Sequence, residues 1–388
     1  MKTIRRTLAT PIQTASKSFS AVLLTGPRRS GKTTLLQTLF PKADYRLLED
    51  PDIIARVRAD PHGFLAELRL PAILDEIQNA PELIPYIRTL IDSHPQKKGQ
   101  WFLTGSQEAP LMRNVSESMA GRVAVFSLLP FSLEETPKVS LLHGGFPEVV
   151  ARPAIASTYF RSYIQTYLER DVRGVSAVSD LATFRRFLSL LATRVGTILN
   201  RTEFAAPLGV SVPTVSAWLS ILEITGQILL IPPFYSNLGK RIIKSPRLHF
   251  VDSGLVCHFL GIETEKALKS SPFLGPVFEG FVASEIVKQQ INAGKARALY
   301  FFRDQQGLEV DFVVPQGEKR AAFVEVKASA TVYPQDAAPL QKLGKAAVGF
   351  DVSSFIVYRP TAAQSPFHAV APGVRAVSLP EFLSREMA

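Results

Sequence analysis

The sequence predicts an α/β protein in three parts: a parallel-sheet domain, a helical segment, and a second α/β domain. Three observations carry this reading. Residues 21–24 form a short apolar run that passes through a glycine-containing loop into the helical pattern of residues 34–40. Such uninterrupted apolar runs mark strands buried on both faces of a parallel sheet. Residues 70–74 form a second such run, which ends on two consecutive acids, Asp75 and Glu76. Near the C-terminus, residues 308–314 and 322–327 alternate apolar with polar residues around a turn at 315–319, the period of a β-hairpin.

The chain has 388 residues, longer than a single core normally grows. We expect a basic N-terminal arm (1–20), a nucleotide-binding core (21–150), a helical connector with a winged helix (151–255), and a C-terminal α/β domain (256–388). The net charge is +10, and a basic balance points to an anionic partner such as DNA. The only cysteine is Cys257, which excludes an intrachain disulfide and a cysteine-held metal cluster. No apolar run reaches the roughly 18 residues of a membrane span, so no membrane partner is expected. Residues 1–20 hold Lys2, Arg5, Arg6 and Lys17 and no acid, as targeting peptides do. The strand at 21–24 is required immediately afterwards, so we read the segment as a basic N-terminal helix or arm of a cytoplasmic protein.

Residues Gly26-Pro27-Arg28-Arg29-Ser30-Gly31-Lys32-Thr33 complete the phosphate-loop pattern of Gly, four residues, then Gly-Lys-Thr. Glycines let the backbone wrap phosphate oxygens, and its N–H groups then point at the anion. Lys32 supplies positive charge to the β- and γ-phosphates, and Thr33 offers its hydroxyl to Mg²⁺. From Thr34 the chain reads as a helix whose N-terminal dipole favours the same anion. ATP and Mg²⁺ are therefore the expected ligands. Asp75 is expected to hold Mg²⁺ and Glu76 to orient or deprotonate the attacking water, the Walker B arrangement. Residues 101–104 form another apolar strand with a polar tip, which makes Thr104 and Ser106 candidates for γ-phosphate or water contacts. Arg122 is a candidate for sensing or stabilising γ-phosphate charge, and reads equally as a surface arginine.

Taken together, residues 24–34, Leu74-Asp75-Glu76-Ile77-Gln78, Leu103-Thr104-Gly105-Ser106-Gln107 and Ala120-Gly121-Arg122 resemble the AAA-type P-loop ATPases of bacteria and archaea that carry a C-terminal nuclease-like domain of unknown function. The likeness extends to Gly144-Gly145-Phe146-Pro147-Glu148 and Tyr167-Leu168-Glu169-Arg170-Asp171, and so covers nearly the whole chain. It implies an ATP-binding protein. It also leaves open whether Arg122 serves its own chain or a neighbour in a homo-oligomer. One departure is Arg29, where the family often has Gln; an extra positive charge near the phosphates is expected.

In the middle, apolar residues recur at helical spacing from Tyr159 to Leu168 and from Phe184 to Leu191. Residues 200–223 then parse as helix, turn and helix, with Thr202 as a cap, Gly209 in the turn, and Ser211 and Pro213 opening the second helix. Residues 228–231 and 247–251 would be the wing strands. The second helix presents Thr214, Ser216 and Ser220 but no Lys or Arg. Phosphate contacts would come from Lys240, Arg241, Lys244 and Arg247. A DNA-binding winged helix and a structural one both stay open.

The C-terminal hairpin places Asp311 on one strand and Glu325 and Lys327 on the next, the latter two on one face. Two carboxylates and a lysine so arranged suit Mg²⁺-assisted phosphodiester hydrolysis, and the pattern resembles the PD-(D/E)xK nuclease fold. That resemblance implies a further acid from a preceding helix, Glu279 in first place and Glu285 in second. The expected function is a Mg²⁺-dependent ATPase coupled to DNA binding or processing. The alternative is a nucleotide-switched regulator whose nuclease-like domain binds a partner and cuts nothing. A P-loop kinase is disfavoured, because no arginine-rich lid follows the loop.

Overall fold

A computed structural model describes residues 4–105, 119–168, 181–234, 245–347, 349–361 and 367–387. The chain forms two compact units. The first is built mainly of residues 1–131, with two short returns at Ile224–Gly226 and Ile291–Lys295; the second comprises Ser132–Glu223, Gln227–Gln290 and Ala296–Ala388.

The first unit contains α1 (Ala9–Ser16), β1 (Ala21–Thr25), α2 (Lys32–Leu39), β2 (Asp44–Leu47), α3 (Pro51–Ala59), α4 (Pro61–Ala66), β3 (Ala72–Asp75), α5 (Leu83–Ser93), β4 (Trp101–Thr104) and β5 (Val123–Ser127). The strands form one five-stranded sheet in the order β2-β3-β4-β1-β5, with every pair parallel. β1, β3 and β4 are buried along their whole length, as their uninterrupted apolar sequences require. Alternate residues feed two cores. Leu23, Leu74 and Leu103 pack with Ile84, Ile87 and Ile91 of α5. Val22, Leu24, Ile73 and Phe102 pack with Leu8 and Ile12 at α1 and with Leu35 and Leu36 of α2. Asp50 and Asp60 cap α3 and α4, each followed by Pro at the first helical position.

The N-terminal segment takes the helical form of the helix or arm expected there. Leu8 and Ile12 are fully buried, and Arg6 is 6% exposed. Its guanidinium lies 4.5 Å over the Phe131 ring. A segment that supplies part of the sheet's own core is a covering helix of the domain and not a free basic extension.

The second unit begins with α6 (Pro147–Ala151), α7 (Ala156–Tyr163), α8 (Leu181–Ala192), α9 (Thr202–Leu208) and α10 (Val212–Ile224). The antiparallel pair β6 (Ile228–Ile231) and β7 (Arg247–Phe250) follows, then α11 (Ser253–Phe259), α12 (Glu265–Ser270) and the long α13 (Leu274–Asn292). One hydrophobic cluster runs from Leu142 through Phe187, Trp218 and Phe250 to Val277. It crosses positions 150 and 255, so the compact units divide at Phe131/Ser132 instead. Among the described residues, no single helix is long and apolar enough to cross a membrane; α9 and α10 pass that test only as a pair bent by 112°. Val215, Trp218, Leu219 and Leu222 of α10 lie in the core.

The rest of this unit is β8 (Tyr300–Arg303), β9 (Glu309–Pro315), β10 (Arg320–Lys327), α14 (Ala338–Ala346), β11 (Asp351–Tyr358), β12 (Phe367–Ala371), β13 (Val374–Ser378) and α15 (Leu379–Glu386). The sheet order is β12-β13-β11-β10-β9-β8. β8, β9 and β10 form an antiparallel meander. β10, β11 and β13 are parallel.

Candidate functional site

In a parallel sheet, ligands gather at the carboxyl ends of the strands. Here β1 delivers the phosphate loop, β3 delivers Asp75, and β4 delivers Thr104 to that common edge. The loop's conformation needs its glycines for different reasons. Gly26 has φ 134°, and a Cβ there would lie 2.2 Å from the Leu128 carbonyl oxygen. Gly31, at the start of α2, has φ 99° with open space around it, so backbone freedom and not room is what requires glycine.

Lys32 is buried, and its Nζ donates to the carbonyls of Gly26 and Pro27 at 3.1 Å each. The ammonium is thereby held over the loop it serves. Thr33 Oγ1 lies 3.0 and 2.9 Å from the two Asp75 carboxylate oxygens. Tyr45 donates its phenol to Asp75 Oδ2 at 2.8 Å. Burial, then this bond to Asp75, holds the Tyr45 phenol well above its ordinary pKa. Thr104 donates its hydroxyl to Asp75 Oδ1, while its oxygen accepts from the Glu76 N–H at 3.0 Å. Thr104 therefore ties the two acids together. In this arrangement its one proton is given to Asp75, so Thr104 orders the acids.

Glu76 sits in the left-handed region, φ 60° and ψ 52°. Non-glycine residues occupy it only where neighbours hold them there. Gln78 donates to Glu76 Oε2, and Arg28 of the phosphate loop approaches the same oxygen at 3.9 Å. Arg28 is 8% exposed and also pairs with Glu49 at 3.5 Å. Arg29, by contrast, has φ 62° and an exposed side chain. Of the loop's two arginines, Arg28 is thus the inward one. The sequence also hid Arg6, which donates to Ser30 O at 3.2 Å and to Leu129 O at 2.6 Å and so braces the loop from behind. Ser106 lies outside the described residues.

Arg122 stands elsewhere. It precedes β5, and its carbonyl accepts from the N–H of Ala21, the first residue of β1. The phosphate loop follows the last residue of β1. The length of that strand, about 15 Å at roughly 3.3 Å per residue, separates them. The Arg122 guanidinium is exposed and paired with Asp92 at 2.6 Å. This placement does not favour action on its own chain's phosphates; it fits a surface arginine paired with Asp92 as well as one that acts on another chain.

In the second unit, a polar cluster assembles from four elements. Arg247 of β7 is 2% exposed. Its guanidinium pairs with Glu279 of α13 at 2.8 Å, with Asp311 of β9 at 3.2 Å, and with Glu309. Asp311 Oδ2 accepts from the Val326 N–H at 2.9 Å, and Lys327 Nζ pairs with Glu325 at 3.0 Å. Burial, then the charge of Asp311, pushes Glu279 up to about 8 against the pull of Arg247. The same two causes push Glu325 up to about 7 against Lys327. His249 is fully buried 3.5 Å from Glu279, and burial, then Arg247, pushes it down to about 3, so the ring is neutral.

Asp311, Glu325 and Lys327 of the hairpin thus lie near Glu279, the acid that the resemblance implied. Glu285 does not join them: it accepts from the Leu133 N–H at 2.7 Å and pairs with Lys288. Arg247 is corrected as a DNA contact, because it is buried and neutralises carboxylates. Lys240, Arg241 and Lys244 lie outside the described residues. No group of three or more His, Cys, Asp or Glu among the described residues is arranged to hold a metal ion. The Cys257 thiol is pushed up to about 12, by burial and then Asp252, and is chemically quiet.

Residues 18–136 match the family described as AAA domain. Residues 135–266 and 274–382 match two domains of unknown function, DUF8612 and DUF4143. Two curated proteins, uncharacterized protein Rv2008c of Mycobacterium tuberculosis and uncharacterized protein Mb2031c of Mycobacterium bovis, are each 32% identical over 334 residues, which is 84% of this chain and 74% of theirs. The chain belongs to their family. Its first unit is an ATP-binding domain of AAA-type P-loop ATPases. Among solved structures, a Walker-type ATPase of Pyrococcus abyssi is 15% identical, with 65% of this chain and 94% of that one covered at a TM-score of 0.41.

Proposed function

We propose that this chain of the AAA-type family is a Mg²⁺-dependent ATP hydrolase that works as a nucleotide-switched module, with the second unit binding a partner. The observation that carries it is the continuous line of hydrogen bonds from Thr33 through Asp75 and Thr104 to Glu76. It joins the loop that binds phosphate to the acid that acts on water.

Backbone N–H groups of the loop and Lys32 would hold the β- and γ-phosphates. The hydroxyl of Thr33 and the carboxylate of Asp75 converge within 3.0 Å, a hard-oxygen pair that fits Mg²⁺. The ion would supply neutralisation of phosphate charge. Glu76 would take a proton from water as the water oxygen bonds to the γ-phosphorus and the bond to the β–γ bridging oxygen breaks.

Binding without cleavage is favoured in the second unit by Arg247. A cation already shared among Glu279, Glu309 and Asp311 leaves those carboxylates compensated, and they do not fit a divalent ion as they stand. A second reading, DNA processing, draws support from other features. Glu279, Asp311, Glu325 and Lys327 are the residue types that the PD-(D/E)xK resemblance implies, and the 112° bend between α9 and α10 suits a helix-turn-helix. However, the Ser216 and Ser220 hydroxyls bond to carbonyls of their own helix, so readout from α10 is weak.

The test is phosphate release from ATP with Mg²⁺, with and without DNA, alongside cleavage of supercoiled and linear DNA. We expect Mg²⁺-dependent release that Lys32→Ala and Glu76→Gln abolish, and no cleavage by wild type. The absence of phosphate release under every condition sinks the hydrolase. Metal-dependent cleavage that Asp311→Ala removes replaces the binding reading with the processing one.

A further inference from the structure

We propose that Arg28, carried by the phosphate loop itself, reads the γ-phosphate of ATP, exchanging its contacts with Glu76 and Glu49 for that phosphate; this rests on the ATP-hydrolase reading above. Arg28 follows Gly26 by two residues, in the half of the loop away from Lys32 and the start of α2. Although it sits on a loop, only 8% of it is exposed. Its guanidinium points toward the end of β3, 3.9 Å from Glu76 and 3.5 Å from Glu49. Glu76 is the group that must face the water attacking the γ-phosphorus. A guanidinium beside it is therefore on the γ side of the nucleotide.

Among the described residues, the other loop and edge arginines do not compete for this role. Arg29 is exposed, and Arg122 lies at the opposite edge of the sheet. Its ion pairs with Glu76 and Glu49 are longer than the roughly 2.7–2.9 Å of a tight charge-assisted bond, so these two are exchangeable. A γ-phosphate offers a higher charge than one carboxylate and matches the planar guanidinium fork. When that anion arrives, Glu76 loses a cationic partner that stabilises its resting position and keeps its contact with Gln78. Binding of ATP is thereby tied to release of the base. ADP has no γ-phosphate and cannot make the exchange.

The experiment measures ATP and ADP affinity in a Glu76→Gln background, where ATP survives, with Arg28, Arg28→Ala and Arg28→Lys compared. ADP affinity doubles as the check on folding. Arg28→Ala should weaken ATP by about 10- to 100-fold and leave ADP within about twofold. Arg28→Lys should recover part of the preference for ATP. With Glu76 intact, Arg28→Ala should lower kcat by about 1000-fold or more. Equal losses for ATP and ADP, or an unchanged preference, overturn the assignment of Arg28 and leave the hydrolase reading standing. A parent protein that binds neither nucleotide overturns both.

Discussion

Arg247 Nη1 lies 2.8 Å from Glu279 Oε1, and the arginine that makes this contact is almost completely buried. The pair joins β7 to α13 in a cluster that also takes in Asp311 and Glu309. A buried cation shared by several acids holds elements together chiefly because each acid would be stranded without it.

Replacing this cation without touching the acids should therefore be severe. Arg247→Met is expected to destabilise the protein by about 3–5 kcal/mol, read as a shift in urea unfolding. Adding Glu279→Gln and Asp311→Asn should recover much of that loss, since the stranded charges are then gone. A loss no smaller in the triple variant would show that packing against Phe301, 4.9 Å away, matters more than charge.

The neutral ring of His249 makes a pH prediction. Its folded pKa, about 3, lies below its ordinary 6.5, so the unfolded chain binds the extra proton. The associated stability is complete above pH 6.5 and is lost as pH falls toward 3. Between pH 6.5 and 5 the loss is about 2 kcal/mol. Glu279 and Glu325 act with the opposite sign, their contribution fading as pH rises through about 8 and 7. Subtracting the unfolding curve of His249→Phe isolates the histidine. Parallel curves for the two proteins would refute its contribution.

Gly26→Ala tests the loop's packing. The new Cβ meets the Leu128 carbonyl oxygen at 2.2 Å, on a backbone with φ 134°. The loop must move, and ATP affinity should fall by more than about tenfold. Calorimetric titration with ATP that gives a wild-type affinity would place the nucleotide elsewhere.

Arg122→Ala should leave the affinity of one chain for ATP within about twofold, because the residue sits a full strand away from the loop. Titration at protein concentrations low enough to keep chains apart is the appropriate measurement. A large loss there would mean that Arg122 reaches its own phosphates.

The phosphate loop was legible because wrapping a phosphate demands contiguous residues, and contiguity is what a sequence displays. Asp75 and Glu76 were legible because they end an apolar strand. Arg6, Tyr45 and Arg28's inward turn were not, since each reaches the site through tertiary packing. Arg122 carried a usable signal that residue type obscured: it precedes its strand, whereas Asp75 and Thr104 end theirs, and parallel strands put those positions at opposite edges. Arg247 looked like one more charge in a basic run. Only the pairing of β7 beside the carboxylates of α13 and β9 shows that it faces inward.

Side chains alternate along a strand, so two consecutive acids would ordinarily serve opposite sides of the sheet. The left-handed turn at Glu76 ends that alternation after Asp75 and, in the proposed reaction, would let both neighbours work on one nucleotide. Glycine would adopt this backbone more comfortably than any other residue, yet it would bring no carboxylate. The position thus trades local ease for chemistry, and a Glu76→Gly chain should keep the kink, relax the backbone, and lose the reaction.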